Sequence, residues 1–175
     1  MSVDTNLIKK PYQREKFTKT ELEELVRCTQ DPTHFLLEHC FIQHPTKGRM
    51  KFDLYDFQER LVDVYHKNRF SIAMLPRQTG KSTCAAGYLL WYAMFNPDST
   101  ILIAAHKYSG AQEIMQRIRF AYETLPNFVR AGVTAYNKGS LEFDNGSRIV
   151  AQATTENTGR GLSLTLVYLD EFAFV

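Results

Sequence analysis

The run RFSIAMLPRQTGKST, Arg69 to Thr83, ends in Gly80-Lys81-Ser82 and opens a stretch without a charged side chain, Ser82 to Phe95. Those residue types suit polyphosphate. Backbone N–H groups of such a loop, with the N-terminal end of a following helix, form a positive concavity. Lys81 would then reach the β and γ phosphates and the Ser82 hydroxyl would hold Mg2+. The candidate loop is Pro76, Arg77, Gln78, Thr79, Gly80, Lys81, Ser82 and Thr83. Its opening is irregular, because Leu75 occupies the place five residues before Gly80 where a phosphate loop ordinarily has glycine.

A second reactive pair lies 89 residues beyond Lys81, where Leu166-Val167-Tyr168-Leu169 runs into Asp170-Glu171. Four apolar residues ending in two carboxylates read as a buried parallel strand with its chemistry at the carboxyl end. Asp170 would hold Mg2+, and Glu171 would polarise a water for attack on the γ phosphate. Adjacent carboxylates repel unless a cation lies between them.

Upstream, Leu54-Tyr55-Asp56-Phe57-Gln58-Glu59 opens an amphipathic helix ending near Asn68, with Asp56 and Glu59 at capping-box spacing. Phe57 could stack on adenine, and the Gln58 amide offers a donor and an acceptor to the base edge. Phe57 also shares a helical face with Leu61 and Val64, which suits a core position equally well.

Positioning such groups requires an α/β framework. Ser71 to Leu75 predicts a short buried strand before the loop, and Ser82 to Phe95 a helix buried on all sides. Thr100 to Ala105 reads as a further buried strand, and Ile114, Ile118, Ala121 and Leu125 as a helical stripe stopped by Pro126. Alternating strands and helices imply a parallel sheet with right-handed crossovers. Ser140 to Asp144 and Ser147 to Ala153 flank Asn145-Gly146, a hairpin signal expected to mark an insertion or a sheet edge. Lys107 and Tyr108, just past a strand end, could touch DNA or form a solvated loop.

The 175 residues, 44% hydrophobic, can bury a real core, and a formal charge of +2 permits nucleic acid binding without requiring it. Three cysteines, Cys28, Cys40 and Cys84, lack framework spacing and favour a reduced, cytosolic setting. Cys40 and His44 have a loose metal-like spacing that packing explains better. No signal peptide, transmembrane span or repeat is evident. Residues 1–20 carry Lys9, Lys10, Arg14, Lys16 and Lys19 against Asp4 and Glu15 and read as a mobile basic arm. Thr18 and Glu21 cap a helix to about Thr29, and Asp31-Pro32 caps a second through about Phe41. These helices suggest a lid subdomain over residues 1–50, joined by a linker at His44 to Arg49 to a nucleotide fold over residues 51–175.

Together FQ, LPRQTGKST, NKGSLEFDNGSRI, TGRGLS and LVYLDEFAF resemble the large terminase subunit of tailed phages, T-even type, from about residue 51 to Val175. Arg77-Gln78 in place of a glycine-rich opening is itself characteristic of that family. The resemblance implies a P-loop NTPase of the additional-strand class, with a mostly parallel sheet flanked by helices. It further implies an ATP-driven, Mg2+-dependent motor that packages double-stranded DNA as a homo-oligomeric ring. The expected partners are the portal protein and the small terminase subunit, in the host cytoplasm and transiently at the procapsid portal, with no membrane role. Family matching places phosphate on Lys81, Mg2+ on Ser82 and Asp170, the catalytic carboxylate on Glu171 and adenine on Phe57 and Gln58. Arg77 within its own subunit and Arg160, reaching a neighbour's ATP, are the candidate arginine fingers.

In that class the strand between the lysine-loop strand and the carboxylate strand comes later in sequence. The expectation is therefore a domain truncated after Glu171, lacking the nuclease, with an empty central slot, exposed apolar surface and little turnover of its own. A helicase-type ATPase and a nonhydrolytic nucleotide-binding remnant are the alternative readings.

Overall fold

The chain first folds as two capped helices, α1 (Lys19–Gln30) and α2 (Pro32–His39). The computed structural model describes residues 7–44 and 46–171. Asp4, Pro45 and the Phe172-Ala173-Phe174 end of the last motif lie outside them. The Thr18 hydroxyl accepts from the Glu21 amide while Glu21 accepts from the Thr18 amide, the reciprocal capping expected from the sequence. Asp31 caps α2 by accepting from the Thr33 and His34 amides. Helix α2 stops at His39, earlier than expected, because Phe41 begins a strand.

That strand, β1 (Phe41–His44), pairs antiparallel with β2 (Gly48–Lys51). A hairpin thus replaces the expected linker. Gly48 takes φ +68° at the turn, and the Arg49 guanidinium lies 4.1 Å from the centre of the Phe41 ring. Helix α3 (Asp56–Lys67) follows, capped at Tyr55 rather than Asp56, because Gln58 Oε1 reaches back to accept from the Tyr55 amide at 3.0 Å.

The fourth helix, α4 (Lys81–Phe95), is buried along nearly its whole length, as its uncharged sequence requires. Helices α2, α3 and α5 (Tyr108–Thr124) surround it, with β3 (Thr100–Ala105) and β6 (Arg148–Ala153) beneath. Close approach explains Gly87, where a Cβ would come within 2.4 Å of Leu36 Cδ2. Trp91 Nε1 donates to the Cys28 carbonyl at 2.6 Å, fastening α1 to α4. Phe35, Leu36 and Cys40 join the same apolar cluster as Leu89, Ile103 and Ile118, so the expected lid helices are packed into the common core.

The remaining strands are β4 (Val133–Tyr136), β5 (Ser140–Phe143) and β7 (Leu166–Asp170). The five-stranded sheet has the order β4-β5-β6-β3-β7, with β3 parallel to β6 and β7 and the hairpin strands antiparallel. The sheet is therefore mixed rather than mostly parallel. The Asn145-Gly146 hairpin is neither insertion nor edge. Its second strand, β6, pairs directly with β3, and the Asn145 amide locks the turn onto α4 by donating to the Ala93 and Met94 carbonyls.

Two expectations fail for clear reasons. Ser71 to Leu75 joins no sheet ladder, and Ile72 and Met74 are 87% and 91% exposed. A strand needs a partner for its backbone, and β7, the edge strand nearest in function, has Val167 and Leu169 on its own exposed face. The basic arm, from residue 7 onward, is docked rather than mobile. Lys9 Nζ pairs with Glu15 at 2.7 Å, the Val133 amide donates to the Lys9 carbonyl at 3.1 Å, and the Tyr12 amide donates to Asp144 at 2.9 Å.

The Trp91 bond is open to measurement. Trp91→Phe leaves the Cys28 carbonyl buried without its donor and should lower unfolding free energy by about 1–3 kcal/mol in urea titration. Stability unchanged within about 0.5 kcal/mol, a surface-like response, would mean the contact contributes nothing.

Candidate phosphate-binding site

Gly80 caps α4 in the left-handed conformation, φ +78°, with no side-chain hydrogen bond at that helix end. First-turn N–H donors of a helix lack intrahelical partners. Here they point from the terminus of a helix whose dipole favours an anion. Gln78 also has positive φ, +63°, so the loop alternates handedness as an anion-binding nest does. The Thr79 hydroxyl donates to the Pro76 carbonyl at 3.0 Å and closes the bend.

Gln58 holds this loop from the side. Its Nε2 donates to the Thr79 carbonyl at 2.9 Å, and a Cβ on Gly80 would come within 2.7 Å of that nitrogen. Glycine is thus required at position 80 by conformation and by space. The buried amide already uses one N–H and one lone pair on the protein, leaving its second N–H and the second lone pair of Oε1 as the polar groups it can offer a base. Phe57 is half-buried and stacks on Tyr55, ring centres 5.9 Å apart and 8° from parallel. Tyr55, an exposed ring beside Phe57, is a stacking surface that the sequence reading missed.

Across from the loop, Asp170 ends β7. Lys81 Nζ donates to Asp170 Oδ1 at 2.7 Å, joining the two motifs, and the Asp170 side chain is 15% exposed. The Tyr168 hydroxyl donates to the same oxygen at 3.1 Å. Burial raises the Tyr168 phenol above its ordinary range, reinforced by Asp170 and Tyr65 and opposed by a hydrogen bond with Ser82. Burial likewise raises Tyr65, on α3, with Cys84 and Asp170 adding to the shift. Both phenols therefore stay protonated near neutrality, and the Tyr168 hydroxyl donates to Asp170 while its oxygen faces the Ser82 hydroxyl as an acceptor. Tyr168 reads in sequence as part of an apolar strand, since nothing in its spacing shows that its hydroxyl meets a carboxylate.

Ser82 and Asp170 both meet Tyr168 and both carry hard oxygen donors, the ligand type Mg2+ takes. Glu171 is exposed with φ +53°, one residue past the strand. Arg77 is exposed on the loop and makes no hydrogen bond among the described residues. Arg160 lies in a run of turns between β6 and β7, between Gly159 and Gly161 with φ +73° and +78°, and donates to Asn157 Oδ1 at 3.0 Å. Thus Lys81, Ser82 and Asp170 converge, while Arg77 and Arg160 make no ion pair with them. The Thr154 hydroxyl, just past the end of β6 and bound through its amide to the Ala105 carbonyl, is buried without a partner among the described residues. A cleft of about 440 Å³ between β1 and α5 includes Thr83 but none of the charged site residues.

The fold and site define a mixed α/β domain in which a lysine-bearing loop at a helix N-terminus faces a strand-end carboxylate. That fold is the one seen in the crystal structure of the HK97 bacteriophage large terminase, with a TM-score of 0.64 over 81% of this chain at 21% identity. The chain spans 30% of the length of that protein. Residues 72–175 match the family described as terminase large subunit, T4likevirus-type, N-terminal. The chain belongs to that family.

The Gly80–Gln58 contact yields a double-mutant test. Gly80→Ala should cost about 1–3 kcal/mol through left-handed strain and the clash. In a Gln58→Ala background the clash part disappears, so the cost should fall by at least ~0.5 kcal/mol in urea titrations. Equal costs in both backgrounds would show that Gln58 does not press on the loop.

Proposed function

We propose that this chain carries the ATP-binding and hydrolysing site of a viral DNA-packaging motor, built as a P-loop NTPase of the additional-strand class. The observation that carries the reading is the 2.7 Å pairing of Lys81 with Asp170, which brings the two motifs to one point. Family membership supports the packaging context. In it the partners are double-stranded DNA, the portal protein, the small terminase subunit and further copies of the subunit in a ring, acting in the host cytoplasm at the procapsid portal.

In this reading the amides of residues 78–82 at the α4 terminus would hold the β and γ phosphates, and Lys81 would turn from Asp170 to them. Ser82 and Asp170 would hold Mg2+, which would supply neutralisation of the phosphate charge. Phe57, with Tyr55 beside it, stacks on the base, and Gln58 ties base recognition to the loop by its bond to Thr79. Glu171, exposed at the strand tip, orients the attacking water. Arg77, exposed on the loop, would serve the γ phosphate of its own site. Arg160, on its turn between two glycines, would serve a neighbour's site.

Equilibrium titration of the chain with a fluorescent ATP analogue and Mg2+ tests the site. Lys81→Ala should weaken binding about 10- to 100-fold, the loss of charge-assisted hydrogen bonds worth ~1.5–3 kcal/mol. Glu171→Gln should leave affinity within about twofold while lowering turnover of the packaging-competent protein by ~10²–10⁴. Undiminished affinity in Lys81→Ala would remove the assignment.

A further inference from the structure

Away from the phosphate loop, four ligand-type atoms of α1 and α2 converge. They are Glu24 Oε1, Cys28 Sγ, His34 Nε2 and His39 Nε2, all within 4.8 Å of one another. We propose that they form a structural site for a tetrahedral divalent transition metal, zinc by the character of its donors. Two imidazole nitrogens, one sulfur and one carboxylate oxygen make a set that zinc accepts and that Mg2+ does not favour.

The four groups meet at one focus and not as separate pairs. Three groups aim at one oxygen, with Glu24 Oε1 lying 2.7 Å from His34 Nε2, 2.8 Å from His39 Nε2 and 3.8 Å from Cys28 Sγ. Three donors on one carboxylate oxygen exceed its two lone pairs, whereas a single ion between them uses one lone pair from each group. Ligand atoms at zinc distances of ~2.0–2.3 Å are separated by roughly 3.3–3.7 Å in a tetrahedron, so an ion would part Glu24 Oε1 from the two histidine nitrogens and draw the wider pairs together.

The site stands on rigid elements. Glu24 and Cys28 are one turn apart on α1, and His34 and His39 flank Phe35 on α2, whose start is fixed by the Asp31 cap. Cys28 is fully buried, and the other three side chains are partly exposed, leaving an entry path. Phe128 and Phe35 pack against His39, ring centres 5.8 and 6.5 Å away, and shield the inner side. Hydrogen bonding from His39 lowers Glu24, so the carboxylate is already ionised. Binding an ion would require Cys28 to give up its thiol proton, as metal-bound cysteine does. The spacing Glu-x3-Cys-x5-His-x4-His stands in the sequence, but the Cys40–His44 pair drew the metal question to the wrong cysteine. A bound ion would clip α1 to α2 and, through the Cys28–Trp91 bond, both to α4.

The test uses the whole chain, stripped by chelation and titrated with Co2+ and then Zn2+. One equivalent of Co2+ should give the intense visible bands of a tetrahedral ion and a near-ultraviolet thiolate charge-transfer band, both bleached by Zn2+. The sulfur band separates this site from the all-oxygen Ser82–Asp170 site. Cys28→Ser should abolish the charge-transfer band, and His34→Gln, on the exposed side, should weaken Zn2+ binding at least roughly tenfold. Cys84→Ala should change neither. X-ray absorption at the zinc edge of the unsubstituted protein should show one sulfur among nitrogen and oxygen ligands, a readout independent of how any variant folds. Octahedral Co2+ spectra, a charge-transfer band that survives Cys28→Ser, or a zinc edge without sulfur would overturn the proposal and leave the cluster a proton-bridged one.

Discussion

Everything else in the molecule is arranged around the need to bury α4. A helix without a charge from Ser82 to Phe95 has no face it can show to water. Helices α2, α3 and α5 and the sheet therefore enclose it, and its N-terminus becomes the one part that must emerge. Gly80 turns the chain there in a left-handed conformation, and Gln58 fills the space a side chain would have taken. Burial of the helix and placement of the loop are one constraint. The same parallel register that sets β7 beside β3 brings Asp170 level with Ala105 and in front of that terminus.

The parts legible in the sequence are those whose information is local. Uninterrupted apolar composition announced α4, side-chain spacing announced the Thr18 and Asp31 caps, and Asn145-Gly146 announced its hairpin. The parts that were not legible depend on partners distant in the chain. The hairpin β1–β2 has too few residues to alternate visibly, and the turn residues at its tip looked like a linker. The basic arm carries charge, which ordinarily means solvation, yet its contacts are made largely through backbone groups of Lys9 and Tyr12 that composition does not reveal. The segment at 71–75 shows the converse failure, since its apolar pattern is right for a strand while the pairing that would make it one lies elsewhere.

For the candidate site the division is similar. Lys81, Ser82 and Asp170 were readable because each belongs to a motif with its own chemistry, and the structure joins them. Tyr168 was not, because a tyrosine in an apolar run looks like packing until its hydroxyl is found near a carboxylate. Gln58 was read as a base-recognition group, and the structure gives its amide a second office, holding the Thr79 carbonyl and so the shape of the loop.

The Lys81–Asp170 pair then has a consequence for the proposed reaction. A lysine that neutralises the carboxylate and a lysine that neutralises phosphate cannot be the same lysine at the same moment. In the proposed reaction an arriving nucleotide would draw Lys81 away and leave Asp170, in a partly buried site, with the Tyr168 hydroxyl as its donor. An exposed carboxylate would tolerate that loss, but a partly buried one requires a replacement cation. Under that proposal phosphate and metal would be favoured together, because each would remove the cost that the other alone would impose. The ion pair that joins loop and strand would then be a placeholder for the ligands, and it keeps the two halves of the site aligned in their absence.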